Sequence, residues 1–486
     1  MSSEQQHGVV FPEAPDGRRS TSSLGRSVLA DALRAADPAG ARAAVQETNW
    51  RSDYLAHFRG AVVAGLDSRA AALSIATDGL ASLHDRMRVA GPDGDRALGD
   101  WTSSAELASV EVHGTGEPET EFSLPYHGTR LRGDALRTQL DGWVRDGVVE
   151  PSAAVAVSEV MANPDWLRAD GFTVAVLGAG AEMGPLRALL HWGATVVAVD
   201  LPRAAIWERV LETAHTGAGT LLLPVPPGSD EADPAVAGAD LLSDAPAVGD
   251  WLTGLDGRLV LGNYVYADGA TNVRVAMAVD ALSTRLLAAR DDVALAFLAT
   301  PTDVFAVPAD AVRQSAAAYA SRSTRAKALG RPLRAVSAGR LLRRNYLPDA
   351  DPGINDSLVP QQGPNYALAK RLQRWRATVA RDAGTMVSLH VAPPTRTRSV
   401  VKNRALAAAY AGAHRFGVEV FEPATSNVLM AALLVHDLHT GGGPAHEQPW
   451  QDEAYAAVHG GLWRAPYAPR SALGLAALLG YASARG

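Results

Sequence analysis

The sequence predicts an α/β fold, a doubly wound parallel sheet with a mostly helical N-terminal extension. Three observations carry this. From Phe172 onward, short apolar runs alternate with helix-length segments, as expected of parallel strands covered on both faces by helices. The first such run, "FTVAVLGAG", ends in a glycine turn and is followed by the helical "PLRALLHWGA". Before it, residues 25 to 110 are Ala-rich with apolar residues at helical spacing, as in "SRAAALSIATDGLASLHDRM".

Taken in order, residues 1–24 are polar and read as a flexible tail. Residues 25–165 read as a mostly helical domain packed onto the sheet domain. Within it, "ASVEVHGTGEPETEFSLPYHG" holds two strand-like runs around a Gly/Pro turn. "GDALRTQLDGWVRDGV" places Leu136, Leu140, Trp143 and Val144 on one helix face and stops near Gly147, and "EPSAAVAVSEVMANPDWL" adds another helix. The boundary falls near residue 165, and residues 166–486 form the sheet domain. "TVVAVD", "RLVLGNY", "VALAFLAT" and "GTMVSLHVAPP" are its further strands, and Trp192, Trp207 and Trp251 belong to its core. A basic insertion covers roughly residues 310–362.

Composition excludes several classes. With no cysteine, disulfides, thiolate nucleophiles and cysteine-ligated metals are ruled out. "HDLH" (His436, Asp437, His439) lacks a third ligand, so no metal site is expected. A net charge of −7 argues against a nucleic-acid partner. The absence of any apolar run of about 18 residues argues against a membrane partner. The polar N-terminus lacks the apolar core of a signal peptide, so the expected location is the cytoplasm.

Chemistry concentrates in two places. "VLGAGAEMGPL" sets Gly178, Gly180 and Gly184 between a strand and a helix. Glycine permits the tight turn and close backbone approach to a pyrophosphate, which the helix N-terminus attracts. Asp200 ends the next strand, about twenty residues on, where a carboxylate binds the ribose hydroxyls of NAD. A carboxylate there repels the 2′-phosphate of NADP, so NAD is the expected cofactor and NADP, with Arg203 close by, the alternative. The second place is "GPNYALAK", where Tyr366 and Lys370 stand four apart and share a helix face. Lys370 is one of only three lysines among 45 basic residues.

From about residue 170 to 435 the chain resembles the short-chain dehydrogenase/reductase family, whose landmarks occur in order. "LGAGAEMG" stands at the glycine turn and Asp200 ends strand two. "GADLLSD" is similar to the segment beside the adenine, which maps onto Asp240 and Leu241. "LVLGN" ends in Asn263, "ALAFLATPT" carries Thr300 at the end of strand five, and Tyr366 and Lys370 follow. "RLQRWRATVARDAG" then leads into "TMVSLHVAPPTRTRS". The resemblance implies a Rossmann-like fold and hydride transfer on a carbonyl/alcohol pair, with a dimer or tetramer as the assembly. Tyr366 would be the acid/base. Lys370 would lower its pKa and hold the nicotinamide ribose, and Thr300 (or Thr302) would orient the substrate oxygen.

Three features depart from the family. Glu182 replaces the middle glycine of the turn, where its carboxylate would compete with a pyrophosphate for the same amides. The gap from Thr300 to Tyr366 is several times the usual length. No equivalent of the family's helix-four Asn exists, since Asn272 lies too early. Basic segments before Tyr346 and after strand six (Arg396, Arg398, Lys402, Arg404) read as an anion-binding lid over a small anionic substrate, as a solvated surface, or as an oligomer contact. The expected function is therefore an atypical NAD(P)-dependent oxidoreductase. The alternatives are an S-adenosylmethionine-dependent methyltransferase, which gives Tyr366 and Lys370 no role, and a non-catalytic binding or scaffold protein.

Overall fold

The computed structural model describes residues 7–92, 94–103 and 105–483. Its centre is a seven-stranded sheet of β1 (Ala108–His113), β2 (Phe172–Leu177), β3 (Thr195–Val199), β4 (Thr220–Val225), β5 (Arg258–Asn263), β6 (Ala294–Ala299) and β7 (Val387–Val391). The order across the sheet is β7-β6-β5-β2-β3-β4-β1. Strands β2 to β7 are parallel, and β1 runs antiparallel to β4. The chain winds outward from β2 to β4, returns to the centre, and winds the other way from β5 to β7. That makes a Rossmann-like, doubly wound fold with its switch point between β2 and β5, where such sheets open a crevice at their carboxyl ends.

Alternation along the strands separates two cores. Val174 and Val176 join Trp192, Trp207 and Leu434, from α2 (Leu186–Trp192), α3 (Ala204–Thr216) and α7 (Pro423–Thr440). Ala175 and Leu177 join Val248, Met277 and Leu372, from α4 (Leu241–Thr253), α5 (Ala270–Ala289) and α6 (Gly363–Asp382). Trp192, Trp207 and Trp251 are buried as expected. Helix α1 (Gly133–Asp146), which carries Leu136, Leu140 and Trp143, ends at Gly147, whose φ of 72° caps it.

Much of the N-terminal part lies on α6. The helix Arg69–Arg86 runs against Trp375, close enough that a Cβ at Gly79 would overlap the indole. His84 from that helix and Arg376 from α6 meet on the buried Asp280 at 2.7 Å each.

Two expectations are corrected. The segment read as a flexible tail is anchored from Gly8: Gly8–Val10 pairs with Arg88–Ala90, and Val9, Val10 and Phe11 are buried. Arg274 donates to the carbonyls of Val9 and His7 at 2.5 and 2.6 Å. A strand of three residues is too short for its periodicity to be read. The boundary near residue 165 also cuts off β1, which belongs to the central sheet as its edge strand.

Glu150 ties the segment before β2 to the C-terminal part. It accepts from Arg464 at 2.8 and 2.6 Å and from His459 at 2.9 Å. Gly461 N donates to His459 Nδ1, so the imidazole donates through Nε2. Burial disfavours the Glu150 carboxylate, yet hydrogen bonds from His459 and Arg464 draw its pKa down to about 2. Its stabilisation is complete above the ordinary glutamate pKa of about 4.3 and is lost as pH falls from there toward the folded value. Arg464→Ala should cost about 3–5 kcal/mol in urea unfolding at neutral pH, because it strands a buried charge.

Candidate functional site

Tyr366 and Lys370 come from the first two turns of α6, which begins with Gly363 and Pro364. Proline is tolerated there because first-turn amides have no helical partner. The helix is fixed on the sheet by Asp303, four residues past the end of β6 and 2% exposed. Its carboxylate receives Arg374 at 2.7 Å and Arg371 at 3.1 Å. Burial alone would favour the neutral acid, but the two guanidinium groups outweigh it and hold the pKa low. Arg374 also donates to the Val304 carbonyl at 2.9 Å and grips Glu453 at 2.7 and 2.5 Å.

That placement carries Lys370 to the sheet edge. Its Nζ donates to the Leu298 carbonyl at 3.2 Å and to Gln373 Oε1 at 2.9 Å. Gln373 Nε2 donates in turn to Asn263 Oδ1 at 3.1 Å. A hydrogen-bonded chain therefore joins Lys370 on α6 to Asn263 at the end of β5. Burial lowers the Lys370 pKa to about 8, with the charge of Asp303 opposing.

Tyr366 is half-buried, and the Thr300 hydroxyl stands near enough to its phenol to favour the ionised form. Thr300 Oγ1 lies 2.9 Å from Thr302 Oγ1, which accepts from Gln362 Nε2 at 2.8 Å. Thr300 is thus the hydroxyl beside Tyr366, and Thr302 stands behind it. The expectation that Lys370 lowers the phenol pKa is corrected. Burial raises it, Asp303 adds to the rise, and Thr300 works against it, so the phenol keeps its proton. Tyr266 packs edge-to-face on Tyr366, ring centroids 6.2 Å apart.

The glycine turn lies across the switch point. Gly178 has φ +85°, and a Cβ there would lie 3.0 Å from the Tyr264 backbone, so glycine is required sterically. At Gly184 the nearest atom to such a Cβ is 3.6 Å away, so the protein itself does not demand glycine there. The Gly180 amide is already committed to Asp200 Oδ2 at 2.8 Å, and Asp200 Oδ1 accepts from Leu201 N at 2.7 Å. A carboxylate offers about four acceptor sites, so two remain open for hydroxyl groups. Glu182 does not take the turn's amides as expected. It accepts from the Arg398 backbone N–H at 2.8 Å and pairs with Arg398 Nε at 3.2 Å. A cavity of about 150 Å³ lies alongside, lined by residues that include Gly180, Glu182, Ile206, Arg209 and Arg398.

The remaining expected residues are placed differently. Asp240 caps α4 through the Leu242 amide at 2.9 Å and meets His7 at 3.3 Å, while Leu241 is buried in the core. In "HDLH", Asp437 accepts from His390 at 2.7 Å, His436 meets Glu159 at 3.0 Å, and His439 stacks on Trp166. Sequence reasoning missed Gln373, Gln362 and Asp303. The available signal for Gln373 was its place three residues past Lys370, one turn on along the same side of the helix.

No family model matches the chain, and no curated protein matches it. Among solved structures it is similar to "Structure of A1-type ketoreductase" and "Structure of A-type Ketoreductases from Modular Polyketide Synthase". Each is 15% identical with a TM-score of 0.31, covering 56% of this chain and 47% of the other. It is also similar to a thiolation-reductase di-domain from an archaeal non-ribosomal peptide synthetase, at 11% identity and a TM-score of 0.28, over 54% of this chain and 66% of that one. The chain spans about half the length of the first two. At these scores the likeness carries no functional weight, which falls on the chain's own residues.

Gln373→Leu keeps the side-chain volume but leaves Lys370 and Asn263 each one partner short. It should lower stability by about 1–3 kcal/mol, read as a reduced urea midpoint with an unchanged m-value.

Proposed function

We propose that the protein is a nicotinamide-dependent oxidoreductase acting on a carbonyl/alcohol pair, with NAD preferred over NADP. The observation that carries this reading is the convergence of Tyr366 with Thr300 and of Lys370 with Gln373 and Asn263 at the carboxyl edge of a parallel sheet. Gly178, Gly180, Gly184 and Asp200 would hold the dinucleotide, and the unforced glycine at 184 fits a backbone left open for a ligand. When bound, the cofactor supplies or accepts the hydride.

The chain's own groups manage the proton. Tyr366, kept neutral by burial, holds a proton on its phenolic oxygen and donates it to a substrate oxygen in the reduction direction. Thr300 stands beside that phenol and can orient the same oxygen. Lys370 contributes a partly desolvated ammonium whose field strengthens the developing alkoxide's stabilisation. The ring of Tyr266 covers one side of Tyr366 and limits water.

One observation favours a second reading, a non-catalytic dinucleotide-fold protein. The Glu182–Arg398 pair draws the loop after β7 onto the glycine turn. Titration with NADH, NADPH and S-adenosylmethionine by calorimetry separates the readings. The proposal expects NADH to bind more tightly than NADPH and S-adenosylmethionine not to bind. Failure of both nicotinamides to bind would sink it.

Tyr366→Phe should retain NADH affinity while losing about 10²–10⁴-fold in turnover on a panel of ketones and aldehydes. Because the Lys370 pKa is depressed to about 8, the ammonium is mostly present at pH 7 and is lost as pH rises through that value. Turnover should therefore fall along an alkaline limb centred near pH 8, and Lys370→Met should abolish that limb.

A further inference from the structure

The formal net charge of −7 conceals a segregation of charge. Residues 321–347, 395–418 and 466–483 contain fourteen of the 45 Lys and Arg and none of the 52 Asp and Glu. The rest of the chain holds the other 31 basic residues against all 52 acidic ones. These segments are distant in sequence but form one lobe. Tyr467 meets Tyr319 at 5.8 Å and Phe416 at 6.2 Å, with Leu342, Ala472 and Leu475 in the same cluster. Leu342 N donates to the Ser471 carbonyl and Ala468 N to the Arg343 carbonyl. The helices Arg404–Gly412 and Pro469–Ser483 touch backbone to backbone, since a Cβ at Gly412 or Gly480 would overlap the other helix.

Two properties of this lobe coincide. Its charge is largely uncompensated: among the described residues Lys327, Arg331, Arg340, Arg343, Lys402 and Arg404 are exposed and have no carboxylate partner. It also exposes large apolar side chains. Among the described residues, seven of the twelve exposed large hydrophobics lie in it, an enrichment that marks an interaction surface. Val336 is 91% exposed, Leu347 80% and Leu478 66%. Side chains this exposed project as separate tips and line no groove. A soft apolar medium accepts such tips as they are, whereas a protein partner needs a shaped pocket for each. The helix Thr324–Val336 alone combines Lys327, Arg331 and Arg334 with exposed Leu333 and Val336, the pairing found in helices that lie in a bilayer interface.

We propose that this lobe is a docking surface for an anionic lipid bilayer, with the basic residues among the headgroups and Val336, Leu347 and Leu478 at the headgroup–acyl boundary. The acidic remainder is repelled by the same surface, so the asymmetry of charge also orients the molecule. Contact is peripheral: no described helix is long and apolar enough to cross a membrane. The expectation of no membrane partner rested on the lack of a long apolar run, which bears on spanning alone.

The test is flotation of the full chain with vesicles of phosphatidylcholine, with and without phosphatidylserine. Binding should require phosphatidylserine and weaken with salt. Arg331→Glu combined with Arg340→Glu should reduce it by about tenfold or more, at roughly a fivefold loss per basic residue removed from the surface. Val336→Ser combined with Leu347→Ser, which leaves the charge intact, should reduce it by at least about fivefold through lost apolar burial. Circular dichroism of both variants confirms that the fold is kept. Equal flotation with pure phosphatidylcholine, or none with phosphatidylserine at low salt, would overturn the proposal. So would unchanged binding of the serine variant, or tighter binding to polyglutamate or duplex DNA than to the anionic vesicles.

Discussion

The candidate site depends on one buried carboxylate. Asp303 sits just past the end of β6 and is charged in the interior only because Arg371 and Arg374 reach it from α6. Tyr366, Lys370 and Arg374 stand at successive four-residue steps, one helix face. Anchoring Arg374 therefore sets the height of α6 against the sheet and brings Lys370 to the Leu298 carbonyl and Tyr366 to Thr300. Glu453 completes the balance by taking the other side of the Arg374 guanidinium. Two cations and two carboxylates make a neutral group, the condition under which buried charges are tolerated. Such a group is better understood as fixing geometry than as a net source of stability.

Burial then decides the protonation of the two groups that Asp303 positions. It raises the Tyr366 phenol and lowers the Lys370 ammonium, moving both toward their neutral forms. The pair is thus arranged to hold a proton on the phenol and not to store a phenolate. That suits delivery of a proton to an oxygen that is gaining charge. At the glycine turn, charge is handled by pairing. Glu182 is neutralised by Arg398, whereas Asp200 is held by two backbone amides and keeps its charge.

Much of this was legible in the sequence. The parallel strands, the glycine turn, the C-cap at Gly147 and the buried tryptophans follow from periodicity and turn chemistry, which are local. Tyr366, Lys370, Thr300 and Asn263 were each legible as candidates, and the fold brings them to one sheet edge. What the sequence hid is non-local. β1 pairs with β4 across more than a hundred residues, and the three-residue strand at Gly8 has no readable period. Gln373 gains its meaning only when α6 places it between Lys370 and Asn263. Glu182 was read against its nearest amides, whereas its partner Arg398 lies 216 positions away. Asp240, assigned by resemblance to the adenine, is occupied as a helix cap.

The most direct test of the account uses the scarcity of lysine. With only Lys327, Lys370 and Lys402 present, ¹⁵N-lysine labelling gives three side-chain signals that single substitutions assign. Lys370 should titrate near pH 8, well below the ordinary lysine value of about 10.4. NADH should shift the Lys370 signal alone. A Lys370 signal titrating near the ordinary lysine value, or one indifferent to NADH, would contradict a partly desolvated ammonium poised at a nicotinamide site.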